Sequence, residues 1–114
     1  MLFRSTYAKL DRLALSLQEY MEKTIRHAGV QWNVVGVGAK GCVTFRPEPV
    51  RDFRDFLGID GRYSHAHWLV QHNGGVFLPP WGKVEQWLLS AQHGEADIDL
   101  FARNFSDFAA AVTR

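Results

Sequence analysis

Cys42 is the only cysteine of the chain, so no intramolecular disulfide can form and the fold must rest on its core. Long apolar runs are missing as well. None approaches the roughly 18 residues of a membrane span, and the N-terminus has no apolar stretch closed by a small-residue cleavage site. These absences predict a soluble, unprocessed, cytoplasmic protein with no membrane partner. Nor is there an excess of one charge: Lys and Arg total 13 against 12 Asp and Glu, a formal net charge of +1. Such a balance supplies no broad attraction for nucleic acid or an anionic lipid surface, and no nucleic-acid partner is expected. No repeat, linker or low-complexity tract divides the 114 residues, which read as a single domain, 1–114.

What is present is the composition of a globular protein, 46% hydrophobic and 22% charged. Aromatic residues are many for this length, with eight Phe and four Trp. Rings bury large areas, so either the core is rich in them or some belong to a surface that another domain or subunit covers.

Tyr7, Leu10, Ala14, Leu17, Met21, Ile25 and Ala28 recur at helical spacing and predict a first helix over 6–28, ended by Gly29. Asn33 to Val37 and Cys42 to Arg46 predict a β-hairpin around a glycine-rich turn, with Pro47 and Pro49 stopping the second strand. A short helical turn is expected over 50–57 and a helix over 63–72, then short strands over 76–78 and 86–90. From Glu95 onward, Ile98, Phe101, Ala102, Phe105, Phe108, Ala109 and Val112 form the cleanest amphipathic stripe of the chain. The order predicts an α+β fold: a small, mostly antiparallel sheet of three or four strands with helices packed on one face.

Several patterns invite a chemical reading. Gly36-Val37-Gly38-Ala39-Lys40-Gly41 has the spelling of a dinucleotide-binding turn, but that motif needs a helix N-terminus after it, and here Cys42-Val43-Thr44-Phe45 reads as a strand. It is expected to be a hairpin turn. His65, His67 and His72 stand two and five residues apart, spacings that do not converge on one helical face, so no metal site is expected. Ser64, Ser90 and Ser106 lie in no strained elbow, and Cys42 reads as a small buried strand residue. Arg46, Arg51, Arg54 and Arg62 alternate with Phe45, Phe53, Phe56 and Tyr63, a pattern able to clamp single-stranded nucleic acid. The adjacent Glu48, Asp52, Asp55 and Asp60 favour a salt-bridged surface instead.

The stretch 74–99 is the most specific. Gly75-Val76-Phe77-Leu78-Pro79-Pro80, then Glu85, then Ser90-Ala91-Gln92-His93 and Asp97-Ile98-Asp99, resembles in order and spacing the end of the class III, pyridoxal-phosphate (PLP) dependent aminotransferases, above all those like glutamate-1-semialdehyde aminomutase. Nearly the whole chain is compatible with their C-terminal small domain, the fold of that part of fold-type I PLP enzymes. The departures are local: Trp81-Gly82-Lys83-Val84 makes the approach to Glu85 one residue longer, and Gly94 stands where the family has a helix-capping Thr.

The resemblance implies that this domain shapes a substrate cleft and is not catalytic alone, with Leu78, Pro79, Pro80, Trp81 and Glu85 facing that cleft. It places the cofactor lysine in a large domain that would be the partner, so that Lys9, Lys23, Lys40 and Lys83 read as surface lysines and no catalytic, cofactor-binding or metal residue is expected in this chain. PLP is the cofactor of the larger enzyme. Whether such a domain is part of a longer protein or encoded apart is left open by the residues. The alternative expectation is a stand-alone interaction domain of the same fold that self-associates as a homodimer through an apolar patch including Trp81, Trp87 and the Leu78-Pro79-Pro80 turn. A third, an RNA-binding module, would use the Arg/Phe stretch.

Overall fold

The computed structural model describes residues 4–79, 84 and 86–113. Along the chain run α1 (Arg4–Ala28), β1 (Asn33–Val37), β2 (Lys40–Thr44), α2 (Phe53–Leu57), α3 (Gly61–Asn73), β3 (Gln86–Leu88) and α4 (Glu95–Val112). The strands form one antiparallel sheet in the order β1-β2-β3, the expected α+β architecture. Among the described residues, no helix is long and apolar enough to cross a membrane.

α1 buries Leu13, Ala14, Leu17, Met21 and Ile25, while Tyr7, expected on this face, is exposed and Leu10 half-buried. The reason is where α1 starts. Lys9 Nζ donates to the Ala91 carbonyl at 2.9 Å, level with the turn before α4, so the residues ahead of Lys9 run past the helix they would otherwise pack on. Gly29 closes α1 at φ 72°, a left-handed conformation that suits glycine, and the Gly29 and Val30 N–H groups both return to the Ile25 carbonyl.

The hairpin is tighter than its sequence suggests. Val37 pairs with Lys40, leaving a two-residue turn, Gly38-Ala39, with positive φ at Gly38 alone. β2 therefore begins and ends two residues earlier than expected. The Arg46 N–H folds back to the Thr44 carbonyl at 2.9 Å, which takes Phe45 out of the ladder while leaving its ring buried.

The described elements cover one face of the sheet. Gly41 and Val43 of β2 and Trp87 of β3 point inward, onto Leu17, Met21, Phe101, Phe105 and Phe108 in a common core. A Cβ on Gly41 would lie 2.5 Å from a Trp87 ring carbon, so the absence of a side chain there lets the indole lie across the sheet. Trp87, expected on an apolar surface patch, is 4% exposed and belongs to the core. The outer face carries Val35, Val37 and Leu88, all exposed. Cys42 pairs with Val35 and Gln86 on that outer face, which is why it is half-buried rather than buried.

α3 and α4 meet through polar groups. α3 buries Ser64, His67 and Gln71, and α4 presents Asn104 between Phe101 and Phe105. Val76 to Leu78, expected as a strand, does not join the sheet; its connection to α3 explains why.

A candidate cleft-lining segment

α3 ends in three successive backbone bonds: Gly74 N–H to Val70 O, Gly75 N–H to His72 O, and Val76 N–H to Gln71 O at 2.8 Å. Gly75 adopts φ 94° to make this reversal, which turns the chain out of the helix and along the core edge instead of toward the strands. Beyond it Val76 and Leu78 are half-buried against the core, and Phe77 between them is exposed, its ring edge set on His72 at 4.7 Å. This is a strand's alternation without a partner strand among the described residues. The Leu78 and Pro79 carbonyls instead accept from the Trp68 indole N–H, at 3.3 and 2.9 Å.

Of the residues expected at a cleft, Leu78 and Pro79 lie in this segment, the first half-buried and the second exposed. Pro80, Trp81 and Glu85 lie outside the described residues. A groove of about 260 Å³ runs between the segment, β3 and the start of α4; Val76, Leu78, Leu88 and Leu100 give it apolar walls, and His93 and Asp97 are its polar members. The Ser90 N–H donates to His93 Nδ1 at 2.9 Å, which leaves Nε2 to carry the proton of the neutral ring. Asp97 accepts from the Gly94 N–H at 2.9 Å, one half of a capping box; Gly94 has no side chain to supply the other half.

The remaining patterns fall elsewhere. Gly36, Gly38 and Gly41 lie in the β1/β2 hairpin, with no helix N-terminus following them to meet a pyrophosphate. His65 and His72 are exposed while His67 is enclosed by Phe45, Phe101, Phe105 and Phe108, with centroids at 5.9, 5.7, 5.2 and 5.2 Å. Burial pushes the His67 pKa down to about 3. No three His, Cys, Asp or Glu residues group as a metal site among the described residues. In the Arg/Phe stretch, Arg46 pairs with Glu48 and Asp55, Arg51 with Asp55, and Arg62 with Asp60. The Arg51 hydrogen bond holds the Asp55 carboxyl below the usual range and raises the guanidinium in turn. These pairs offset three of the four arginine charges of the stretch, Arg46, Arg51 and Arg62.

A PLP site needs a desolvated lysine with partners for phosphate and ring nitrogen. Lys23 and Lys40 are exposed, Lys9 is tied to the Ala91 carbonyl, and Lys83 lies outside the described residues. The described residues do not fit the cofactor. Sequence reasoning missed two features here: the buried His67-Gln71-Asn104 contacts and Trp68 as donor to the turn. The i, i+4 spacing of His67 and Gln71 was the available signal for the first.

No protein-family model matches the chain. Glutamate-1-semialdehyde 2,1-aminomutase of Thermomicrobium roseum is 33% identical over 93 residues, 82% of this chain and 21% of its own length. That of Desulfatibacillum aliphaticivorans is 33% identical over 94 residues, again 82% of this chain and 22% of the relative. The solved glutamate-1-semialdehyde aminomutase of Pseudomonas aeruginosa superposes with a TM-score of 0.85, covering 95% of this chain and 24% of its own at 21% identity. The chain resembles the C-terminal small domain of a class III aminotransferase. A transaminase solved with PLP bound shares the fold as well, with a TM-score of 0.76 over 98% of this chain and 24% of that enzyme at 19% identity. The chain thus spans between a fifth and a quarter of these family members, and the family is one that uses PLP.

Proposed function

We infer that the protein works as the C-terminal small domain of a PLP-dependent class III aminotransferase or aminomutase, packing on a large domain and walling its substrate cleft with the 75–79 segment and, by resemblance, Pro80, Trp81 and Glu85. One observation carries the reading: sequence similarity over 82% of the chain falls on only 21% of an aminomutase, the share expected of one domain of that enzyme. On this reading the large domain brings the cofactor and its lysine, and the cytoplasm is the setting that a lone thiol suits. The outer sheet face supports it, since Val37 and Leu88 are 81% and 67% exposed, side by side across Lys40, a surface that a neighbour would cover.

The test is reconstitution. Mixed with the PLP-loaded large domain of a homologous aminomutase lacking its own C-terminal domain, the chain should form a stoichiometric complex and restore turnover of glutamate 1-semialdehyde or an amine donor. A mixture that elutes as two separate species and stays inactive would sink the reading. The same apolar face favours a second reading, a self-associating domain that closes the face on a second copy; there, a homodimer would form and exclude the large domain.

A further inference from the structure

Trp87 and Trp68 use their indoles differently. Trp87 sits in the core with Nε1 buried and without a hydrogen-bond partner among the described residues, whereas half-buried Trp68 spends its N–H on the Leu78 and Pro79 carbonyls. Among the described residues no strand pairs with the extended segment to which those carbonyls belong, so no ladder bond there fixes their position. Trp68 is itself held: His72, one turn further along α3, stacks on it at 5.1 Å and 15°, and Phe77 closes the row against His72 at 89°. The 75–79 segment is therefore tied to α3 at both ends, by backbone bonds at Gly75 and Val76 and by the indole at Leu78 and Pro79.

We propose that Trp68 is a positioning residue, its indole N–H latching the Leu78-Pro79 turn to α3 and so setting the line along which the chain enters the cleft wall. The latch is a property of this chain alone; its consequence for substrate binding rests on the function inferred above. Without the N–H the two carbonyls lose the donor that the described residues give them, and the turn is held only by the packing of Val76 and Leu78 and by the backbone bonds at Gly75 and Val76. Trp68→Phe keeps a ring on His72 and removes the donor, while Trp68→Leu removes both.

Two measurements separate latch from function. In the full chain by NMR, the Trp68 indole proton should exchange at least roughly tenfold more slowly than free indole. Trp68→Phe should move the Leu78 and Pro79 carbonyl resonances while amide protection in α1 and α4 stays unchanged, which also verifies folding. Exchange at the free rate, or unmoved carbonyls, overturns the latch. In the reconstituted enzyme, Trp68→Phe should raise KM several-fold with kcat little changed, because a displaced cleft wall weakens substrate binding more than chemistry. Loss of kcat at constant KM, or no change in either, overturns the positioning role. If the unmutated chain fails to reconstitute, the function inferred above falls, and the proton exchange alone decides the latch.

Discussion

Asn104 donates from Nδ2 to Gln71 Oε1 at 3.1 Å, a buried side-chain bond joining α4 to α3 across 33 residues of sequence. Gln71 Nε2 continues the line, reaching the Phe101 carbonyl at 3.1 Å and His67 Nε2 at 3.0 Å. The second contact requires that His67 Nε2 be the acceptor, so the neutral ring carries its proton on Nδ1. Both residues are needed at once: removing either leaves the other's amide buried without its partner. Gly74 makes room for this pair, since a Cβ there would lie 2.3 Å from Asn104 Oδ1.

Gln71→Leu should accordingly destabilise the protein by about 1–3 kcal/mol, the cost of orphaned buried polar groups. Asn104→Leu should cost a similar amount. The double variant should cost clearly less than the sum, because each single change already breaks the shared bond. Urea unfolding of the four proteins checks it; strict additivity would show that the two amides do not depend on one another.

His67 makes stability depend on pH, and the direction follows from its pKa. In the unfolded chain the ring titrates near 6.5, and in the folded chain near 3, because burial opposes its charge. Between those values the unfolded state binds the proton and the folded state does not, so stability is complete above pH 6.5 and declines as the pH falls toward 3. The slope approaches about 1.4 kcal/mol per pH unit from this one group. His67→Phe should flatten that part of the profile, read as denaturation midpoints from about pH 7.5 down to about pH 4.5. A wild-type slope that survives the substitution would move its origin to the carboxylates.

Phe105 is 0% exposed, at the centre of the α4 stripe. Phe105→Ala should cost on the order of 3–5 kcal/mol through lost burial and the cavity left behind. A loss below about 1 kcal/mol would mean the ring contributes as a surface residue does. Gly41→Ala tests the same core from the sheet side: the new methyl meets the Trp87 ring and the Val35 carbonyl, both within 2.7 Å, so the indole must shift at a cost of about 1–3 kcal/mol. Near-ultraviolet circular dichroism should report the displaced Trp87, and an unchanged spectrum and midpoint would contradict the packing.

How far the sequence led depends on what each element buries. α1 and α4 bury apolar stripes, and period reading found both, missing at their ends, where Tyr7 and Val112 are exposed, and at Leu13, which is buried though outside the expected stripe. α3 buries Ser64, His67 and Gln71, so hydrophobic periodicity had almost nothing to read there, and its caps, Asp60 and Gly74, marked it instead. The 76–78 segment alternates as a strand does but is held by a side chain ten residues upstream, which no local pattern encodes. Trp87 was expected on a surface patch because the resemblance set it beside the Leu78-Pro79-Pro80 turn; only its register opposite Gly41 shows that the sheet has space for it. The 75–80 motif was legible because it is a string of specific residues, and the contacts of its described part were not, because they depend on the distant Trp68.

The outer sheet face gives the last prediction. Val37 and Leu88 flank Lys40 across three strands, with Val35 and half-buried Cys42 in the adjoining row, and no described element covers them. An apolar face of this kind on an isolated domain draws a partner, and with no large domain in solution the available partner is a second copy. The chain alone should therefore associate with rising concentration. Val37→Lys with Leu88→Lys should return it to monomer, and because both residues are largely exposed already, the melting temperature of the monomer should change little. The same pair should block reconstitution with the large domain if that domain uses the same face. Sedimentation equilibrium distinguishes the cases. An unmutated chain that stays monomeric at high concentration rejects self-association through this face, and a lysine pair that leaves reconstitution intact moves the large-domain contact to the other side of the molecule.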